Sequence, residues 1–413
     1  MTGRRVVVTG MGCVTPAGRD AEATWQAVVA GRSGVRTLKR ALDASMQCTI
    51  GAAVDDFVPP PLKQDGSRLG RATLFALGAA VEAAAHAGLP SADIDRGRAG
   101  VIAATGIGDA SEHVRQTQVF MERGFRAVHP LYVPKVMPNA SAAHLAIEFG
   151  FRGASFAPTS ACAASAHALS LALRLIRAGD ADLFLAGGTE EMYSMLLPLA
   201  AFDVLRALSR RNADPAGASR PFDLNRDGFV LGEGAGMLVV EALEHAKRRG
   251  APILAELAGA GMTTDAHHIV APEPSGDGAV RAMARALEDA GRSPSEVDHI
   301  SAHGTSTPLN DRIECAAVHK LFGPHAKRIS VSATKSVLGH TIGASAAIAS
   351  ISTIRSITDG IVPPIANYTT RDPACDLDFV AGSARSVPVR LALVNAFGFG
   401  GHCVSLAFTP FEE

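Results

Sequence analysis

The sequence predicts an α/β fold, and three observations carry that prediction. Short β-branched runs and alanine-rich helical runs alternate along almost the whole chain, the β-runs are flanked by glycine-containing turns, and no low-complexity linker interrupts the pattern. In chain order the expected strands are Arg5–Thr9, Gly100–Thr105, Ala181–Ala186, Met237–Glu241, Ile253–Gly259, His299–Ala302, Ile329–Ala333, Leu391–Asn395 and Val404–Phe408. The expected helices are Ala21–Ala30, Arg71–Ala87, Ala140–Phe149, Ala163–Ala178, Gly278–Ala290, Arg312–Leu321 and Gly343–Thr358. Small residues on many of these helices point to close packing inside the molecule as well as on its outside. A seam falls near Arg248–Pro252, dividing the chain into residues 1–250 and 251–413. Both halves open with a β-run that ends in a glycine-rich turn, VVVTGMG in the first and ELAGAGM in the second. This predicts a structural duplication, with two halves sharing one core.

Composition narrows the function classes. A chain of 413 residues buries a large core, and 47 % apolar with 19 % charged residues is an ordinary globular balance. A formal net charge of −1 shows no basic excess, so neither a nucleic-acid nor a membrane-surface partner is expected. The amino-terminal MTGRRVVVTGMG lacks the apolar length and cleavage site of a secretory signal, and no run reaches the ~18 apolar residues of a membrane span. Six cysteines without a C-x-x-C pair read as free thiols of a cytoplasmic protein.

Cys162 stands in Thr159-Ser160-Ala161-Cys162-Ala163-Ala164, at the start of a helix that Gly179 stops. Unpaired N–H groups and a partial positive charge at a helix start favour a thiolate, and the small neighbours leave room for a bulky thioester. The competing reading is a buried structural cysteine, the usual fate of the residue and the one assigned to the other five. His303 opens His303-Gly304-Thr305-Ser306-Thr307-Pro308 just past a strand, where α/β proteins place their chemistry. Lys335 and His340 follow the next strand in Lys335-Ser336-Val337-Leu338-Gly339-His340, while Asp311 and Glu314 begin the helix after the first loop. Two histidines at equivalent strand ends are a stronger signal than either alone. A zinc site is poorly matched, because no His-x-x-x-His spacing falls on an expected helix and the cysteine is remote; no metal is expected. The last element, Asn395-Ala396-Phe397-Gly398-Phe399-Gly400-Gly401-His402, is either a glycine-rich hairpin or a loop whose backbone N–H groups form an oxyanion hole.

The order of these elements resembles the ketosynthase branch of the thiolase superfamily. The resemblance covers nearly the whole chain: VVVTGMG at Val6–Gly12, TSACA at Thr159–Ala163, SRPFDLNRDGFVLGEGAG at Ser219–Gly236, HGTSTP at His303–Pro308, TKSVLGH at Thr334–His340 and the glycine-rich run within Ala396–Gly401. The set is most similar to the elongating β-ketoacyl-acyl-carrier-protein synthases with a Cys-His-His triad; the initiating branch pairs Cys with His and Asn. The resemblance implies a five-layered αβαβα thiolase-like fold from two duplicated halves, working as a dimer, and a ping-pong decarboxylative Claisen condensation. Cys162 then accepts an acyl group from acyl carrier protein, and His303 and His340 hydrogen-bond the malonyl thioester oxygen as the enolate develops. No cofactor is expected on the enzyme, since phosphopantetheine arrives on the carrier. The N–H groups of Cys162 and Phe399 are implied as the oxyanion hole, with Phe399 also a gate. Lys335, Asp311 and Glu314 match positions that organise the site by charge pairing. Thr305 and Thr307 match contacts to the pantetheine arm, Ile107 and Phe202 acyl-pocket walls, and Arg206 a carrier-docking position.

Departures from the family pattern suggest a specialised synthase, making a polyketide or polyene chain instead of bulk fatty acid. The usual G-H-x-x-G-A-A-G-x-x-E becomes His340-Thr341-Ile342-Gly343-Ala344-Ser345-Ala346 with Ala349 in place of the glutamate that holds a structural cation in some relatives. Cys403 stands where Asn is usual, and Ile269-Val270 replaces a more polar pair. The alternatives within reach are a thiolase, in which Cys403 would be the base, and a ketosynthase-like partner subunit of a heterodimer. Retention of Cys162, His303 and His340 favours a catalytic chain, acting as a homodimer or as the catalytic half of such a heterodimer.

Overall fold

The structure is a computed structural model describing residues 3–413; Met1 and Thr2 of the amino-terminal stretch lie outside it. Eleven strands form one sheet: β1 (Val6–Val14), β2 (Ala99–Ala104), β3 (Ser155–Phe156), β4 (Leu183–Glu190), β5 (Gly234–Ala242), β6 (Ala255–Thr264), β7 (His299–Ser301), β8 (Ser330–Ser332), β9 (Asp378–Phe379), β10 (Ala392–Gly398) and β11 (His402–Thr409). Their order is β9-β8-β7-β10-β11-β6-β1-β5-β4-β2-β3. Outward from the centre, the first half reads first, fifth, fourth, second and third strand (β1-β5-β4-β2-β3). The second half repeats this order as β6-β11-β10-β7-β8 and adds β9 at its edge. Parallel and antiparallel pairings also match between halves. The two halves of the sheet join through the pairing of Val7 with Glu256 and Val8 with Ala255.

The helices that make the layers are α1 (Ala21–Val29), α2 (Arg71–His86), α3 (Ala140–Phe149), α4 (Ala164–Ala178), α5 (Asp277–Ala290), α6 (Pro308–Phe322) and α7 (Ser345–Asp359). α2 and α3 cover the outer face of the first half, and α5 and α6 that of the second. α4 and α7 lie between the two halves, touching strands of both, so the molecule has the five layers αβαβα. Leu169, Leu173 and Ile176 of α4 and Ile348, Ile351 and Ile354 of α7 are fully buried there; each contributes about 1.5–3 kcal/mol of apolar burial. Alanines and serines fill the remaining faces, as the small-residue pattern predicted, and the hydroxyls of Ser170, Ser350 and Thr353 bond back to the carbonyl four residues earlier. Gly179 ends α4 at φ +84°.

One expectation is corrected. VVVTGMG and ELAGAGM do not turn at their glycines; β1 and β6 continue through them, β1 with a β-bulge between Val8 and Gly10. A Cβ at Gly10 would lie 2.1 Å from the Ala83 carbonyl oxygen, and one at Gly261 would lie 2.0 Å from that of Ala282. These glycines let α2 and α5 press their backbones onto the sheet. The packing device is thus duplicated along with the topology. No helix among the described residues is long and apolar enough to cross a membrane.

Candidate active site

The site gathers at the strand ends near the junction of the halves. A short 3₁₀ turn, Ala161–Ala163, delivers Cys162 directly ahead of α4. Ala161 is held at φ +49°, a strained conformation for a residue with a side chain and one that clusters at functional sites. His303 follows β7 and Lys335 follows β8, at equivalent strand ends; His340 lies five residues further on. The glycine-rich run pairs β10 with β11 as a hairpin to Gly398 and His402, and its turn faces the nucleophile. A Cβ on Gly398 would come 3.1 Å from the Cys162 nitrogen, so a side chain there would press on the nucleophile's turn.

One cavity of about 480 Å³ is lined by Cys162, His303, His340, Phe399, Thr305, Thr307, Glu314, Ile107, Phe202 and Arg206. Lys335 and Asp311 stand behind that lining. The rings of His303 and His340 are 5.5 Å apart, edge to face. His340 also meets Phe229 at 5.5 Å, and Phe229 meets Phe202 at 5.4 Å. Thr305 and Thr307 hydroxyls bond each other at 2.8 Å on the wall, and Arg206 is exposed at the rim.

The electrostatics of the site differ from the sequence expectation at two points. Cys162 is only 7 % exposed, and burial pushes its thiol up to about 11. The Lys335 ammonium and the backbone N–H groups of Phe399 and Cys162 pull the other way. The start of α4 alone therefore does not make the sulfur acidic; desolvation wins at rest. Second, Lys335 makes no ion pair within 4 Å of Asp311 or Glu314 among the described residues. Its Nζ donates to the His303 carbonyl at 2.6 Å and lies 3.5 Å from His303 Nδ1. Glu314 accepts the N–H groups of His303 and Gly304 and the amide of Asn395, and burial raises its carboxyl to about 7. Asp311 accepts the N–H groups of Phe222 and Thr305 and pairs with Arg226 at 3.6 Å. Both acids thus organise the loop by holding backbone, and their charges favour the Lys335 ammonium from a distance without a contact ion pair.

Burial, reinforced by the nearby ammonium, holds both imidazoles well below the usual histidine range, so they are neutral at pH 7. Each has a donor behind Nδ1: Lys335 for His303, and the Ile342 N–H at 3.3 Å for His340. That leaves the Nε2 proton for a ligand in the cavity. Burial lowers the Lys335 ammonium to about 8, which keeps it mostly charged at pH 7. Lys335→Met is expected to slow alkylation of Cys162 by iodoacetamide. An upward shift of one unit reduces the thiolate tenfold, partly offset by its greater nucleophilicity, for a net loss of about fourfold. The pH dependence of the alkylation rate measures this, and an unchanged profile would remove Lys335 from the account.

Three contributors were missed. Glu190, at the end of β4, is buried and accepts N–H groups from Gly106, Ile107 and Gly343, tying the acyl-pocket wall to the turn after His340. A carboxylate pair closing the apolar run Leu183–Thr189 was its available signal. Phe229 carried no separate signal. Ser345 bonds His340 and was noted only as a departure from a pattern. Cys403, assigned to the core, does reach the cavity edge; its sulfur lies 3.5 Å from Asp265 Oδ1, and burial and that carboxylate raise its pKa. This is unsuited to the base that a thiolase needs.

A thiol at a constrained turn, two neutral imidazoles and a backbone donor pair around one apolar cavity, all on a five-layered duplicated fold, define a thiol-dependent, acyl-transferring condensing enzyme. The comparisons agree. The Beta-ketoacyl synthase N-terminal domain family matches residues 3–246, and the Beta-ketoacyl synthase C-terminal domain family matches residues 254–369. The chain belongs to the beta-ketoacyl synthase family. It is 42 % identical over 99 % of both chains to a 3-oxoacyl-[acyl-carrier-protein] synthase 2 of Synechocystis sp.. Among solved structures it is similar to the ketosynthase in AntDE:AntF, a type II polyketide synthase acyl-carrier protein complexed with its ketosynthase bound to the hexaketide, with TM-score 0.92, 35 % identity and full coverage of both chains. It is equally similar to the ishigamide ketosynthase/chain length factor, with TM-score 0.93, 33 % identity and full coverage of both.

Proposed function

We propose that this chain carries out the decarboxylative Claisen condensation of a Cys162-bound acyl group with malonyl-carrier protein. The single observation that supports it most is the pair of neutral imidazoles 5.5 Å apart, each with Nδ1 occupied from behind, facing the cavity that Cys162 also lines. In the first half-reaction the sulfur attacks the acyl thioester, the carrier thiol leaves, and the cysteine proton passes to the departing sulfur. The N–H groups of Cys162 and Phe399 hold the transient oxyanion. In the second, the malonyl carboxylate departs as CO₂ and the resulting enolate oxygen receives the Nε2 protons of His303 and His340 as hydrogen bonds. The enolate carbon then attacks the acyl carbonyl, expelling the Cys162 thiolate, which takes up a proton.

Thr305 and Thr307 are the proposed contacts of the pantetheine arm, Ile107 and Phe202 the acyl walls, and Arg206 the carrier contact at the rim. The proposed partners are acyl carrier protein and a second ketosynthase-like subunit, identical or related. Exposed apolar side chains follow one another at Ile107, Phe120, Met121, Phe125 and Val133, the kind of surface a subunit covers. The polyketide or polyene assignment is supported by the departures at Ser345, Ala349, Ile269 and Cys403, and by likeness to polyketide ketosynthases. Six free cysteines suit a reducing, cytoplasmic setting.

Intact mass spectrometry after incubation with a panel of acyl-carrier proteins is expected to show an acyl adduct on Cys162 for the preferred chain. Adding malonyl-carrier protein should then release CO₂ and discharge the adduct. Acylation without CO₂ release would favour a transferase lacking the condensing step. The mass of the purified chain in solution separates homodimer from a subunit awaiting a different partner.

A further inference from the structure

We infer that Ser345 is a positioning residue for His340, setting the rotation of its ring so that the Nε2 proton points at the reacting thioester oxygen. The inference rests on the condensing reaction proposed above. Backbone contacts fix the main chain of His340 on both sides: its N–H donates to the Val230 carbonyl at 2.7 Å and its carbonyl accepts the Gly232 N–H at 2.9 Å. The ring torsions are what remains to be set. The Ile342 N–H points at Nδ1 from 3.3 Å, so Nδ1 carries a lone pair and no proton. The Ser345 hydroxyl, 2.9 Å from the same nitrogen, must therefore donate to it. The Thr341 hydroxyl stands 3.1 Å from Ser345 Oγ and completes a relay Thr341 to Ser345 to His340.

Ser345 is buried at the first position of α7, so no bulk water competes for this bond. It is shorter than the Ile342 contact and comes from a side chain where the other comes from the backbone, so two separate donors hold the same ring nitrogen. The turn between them is held independently, by the Glu190 carboxylate on the Gly343 N–H and by the strained Ile342 at φ +44°.

The test uses the full chain with Ser345→Ala, Ser345→Thr and Thr341→Val, measuring CO₂ release from malonyl-carrier protein and, separately, acylation of Cys162. Loss of one neutral donor is expected to lower kcat for CO₂ release about three- to tenfold in Ser345→Ala, without changing KM or acylation. Ser345→Thr, which keeps the hydroxyl, should recover most of the loss, and Thr341→Val should show a smaller one. In a His340→Ala background the Ser345→Ala change should have no further effect. An unchanged kcat, a change in KM alone, or an equal loss in the His340→Ala background would overturn the inference. The ¹⁵N shifts of the His340 ring in histidine-labelled protein test the positioning apart from the reaction. Wild type should show a protonated Nε2 with a bare Nδ1, and Ser345→Ala the same tautomer, still held by the Ile342 N–H, with the Nδ1 shift moved to that of a more weakly hydrogen-bonded nitrogen; an Nδ1 shift identical in the two would overturn the Ser345 bond. A wild-type chain with that signature but no CO₂ release would overturn the condensing reading and leave the ring placement standing; a wild-type mixture would overturn the placement.

Discussion

Cys162→Ala is expected to lose at least ~10⁴-fold in chain elongation while keeping its fold, because the covalent half of the reaction has no substitute nucleophile. Of the six cysteines, only Cys403 also reaches the cavity, and its sulfur is bonded to Asp265. The substitution removes one small buried atom beside Ala161 and Ala163, a change at the mild end of core truncations. Both imidazoles and their donors stay in place, so the variant should still release CO₂ from malonyl-carrier protein. Intact mass after incubation with acyl-carrier protein is the direct measurement. An acyl adduct surviving in Cys162→Ala, or elongation at the wild-type rate, would move the nucleophile elsewhere. Loss of elongation together with loss of CO₂ release and of a normal thermal transition would point to a folding defect, which Cys162→Ser distinguishes by restoring volume without a competent sulfur.

What could be read from the sequence, and what could not, follows from how local each feature is. The seven helices and nine strands of the alternation recur in the structure because their signals are local periodicities. The edge strands Ser155–Phe156 and Asp378–Phe379 were missed, being two residues each and defined only by their neighbours. The helix Ala110–Arg123 was missed because its polar, charged sequence has no buried stripe of the usual width. The glycines of β1 and β6 were read as turns, since their actual role, admitting a helix backbone, depends on contacts some seventy residues away in the first half. In the site, every candidate residue reached or backed the same cavity. The chemistry of those residues was less legible. Whether Cys162 is acidic depends on desolvation by the other half of the chain, and whether Lys335 pairs with Glu314 depends on which backbone groups claim the carboxylate first.

The same logic sets the second large effect. His303→Ala and His340→Ala are each expected to reduce CO₂ release from malonyl-carrier protein by about 10²–10³-fold, the loss that follows removal of one preorganised donor to a developing oxyanion. Each change is cleaner than the truncation of a buried polar residue usually is. Lys335 keeps its 2.6 Å bond to the backbone carbonyl of residue 303 when the ring is gone, so the ammonium remains satisfied. Ser345 keeps its Thr341 partner when His340 is shortened. The charge near Cys162 is therefore preserved, and acylation should survive in both variants within a few-fold. His340→Asn, which retains an N–H donor on a shorter stem, should fall between wild type and His340→Ala. The double variant should lose less than the product of the two single losses, because both donors serve one oxygen and the second has little left to stabilise once the first is absent. The measurements are CO₂ release at saturating malonyl-carrier protein and the rate of adduct formation on Cys162. If either alanine variant released CO₂ at the wild-type rate, that ring would have no part in holding the enolate. If both lost acylation in step with CO₂ release, the imidazoles would instead be serving the sulfur as its bases, and the division of labour between the two halves of the chain would have to be redrawn.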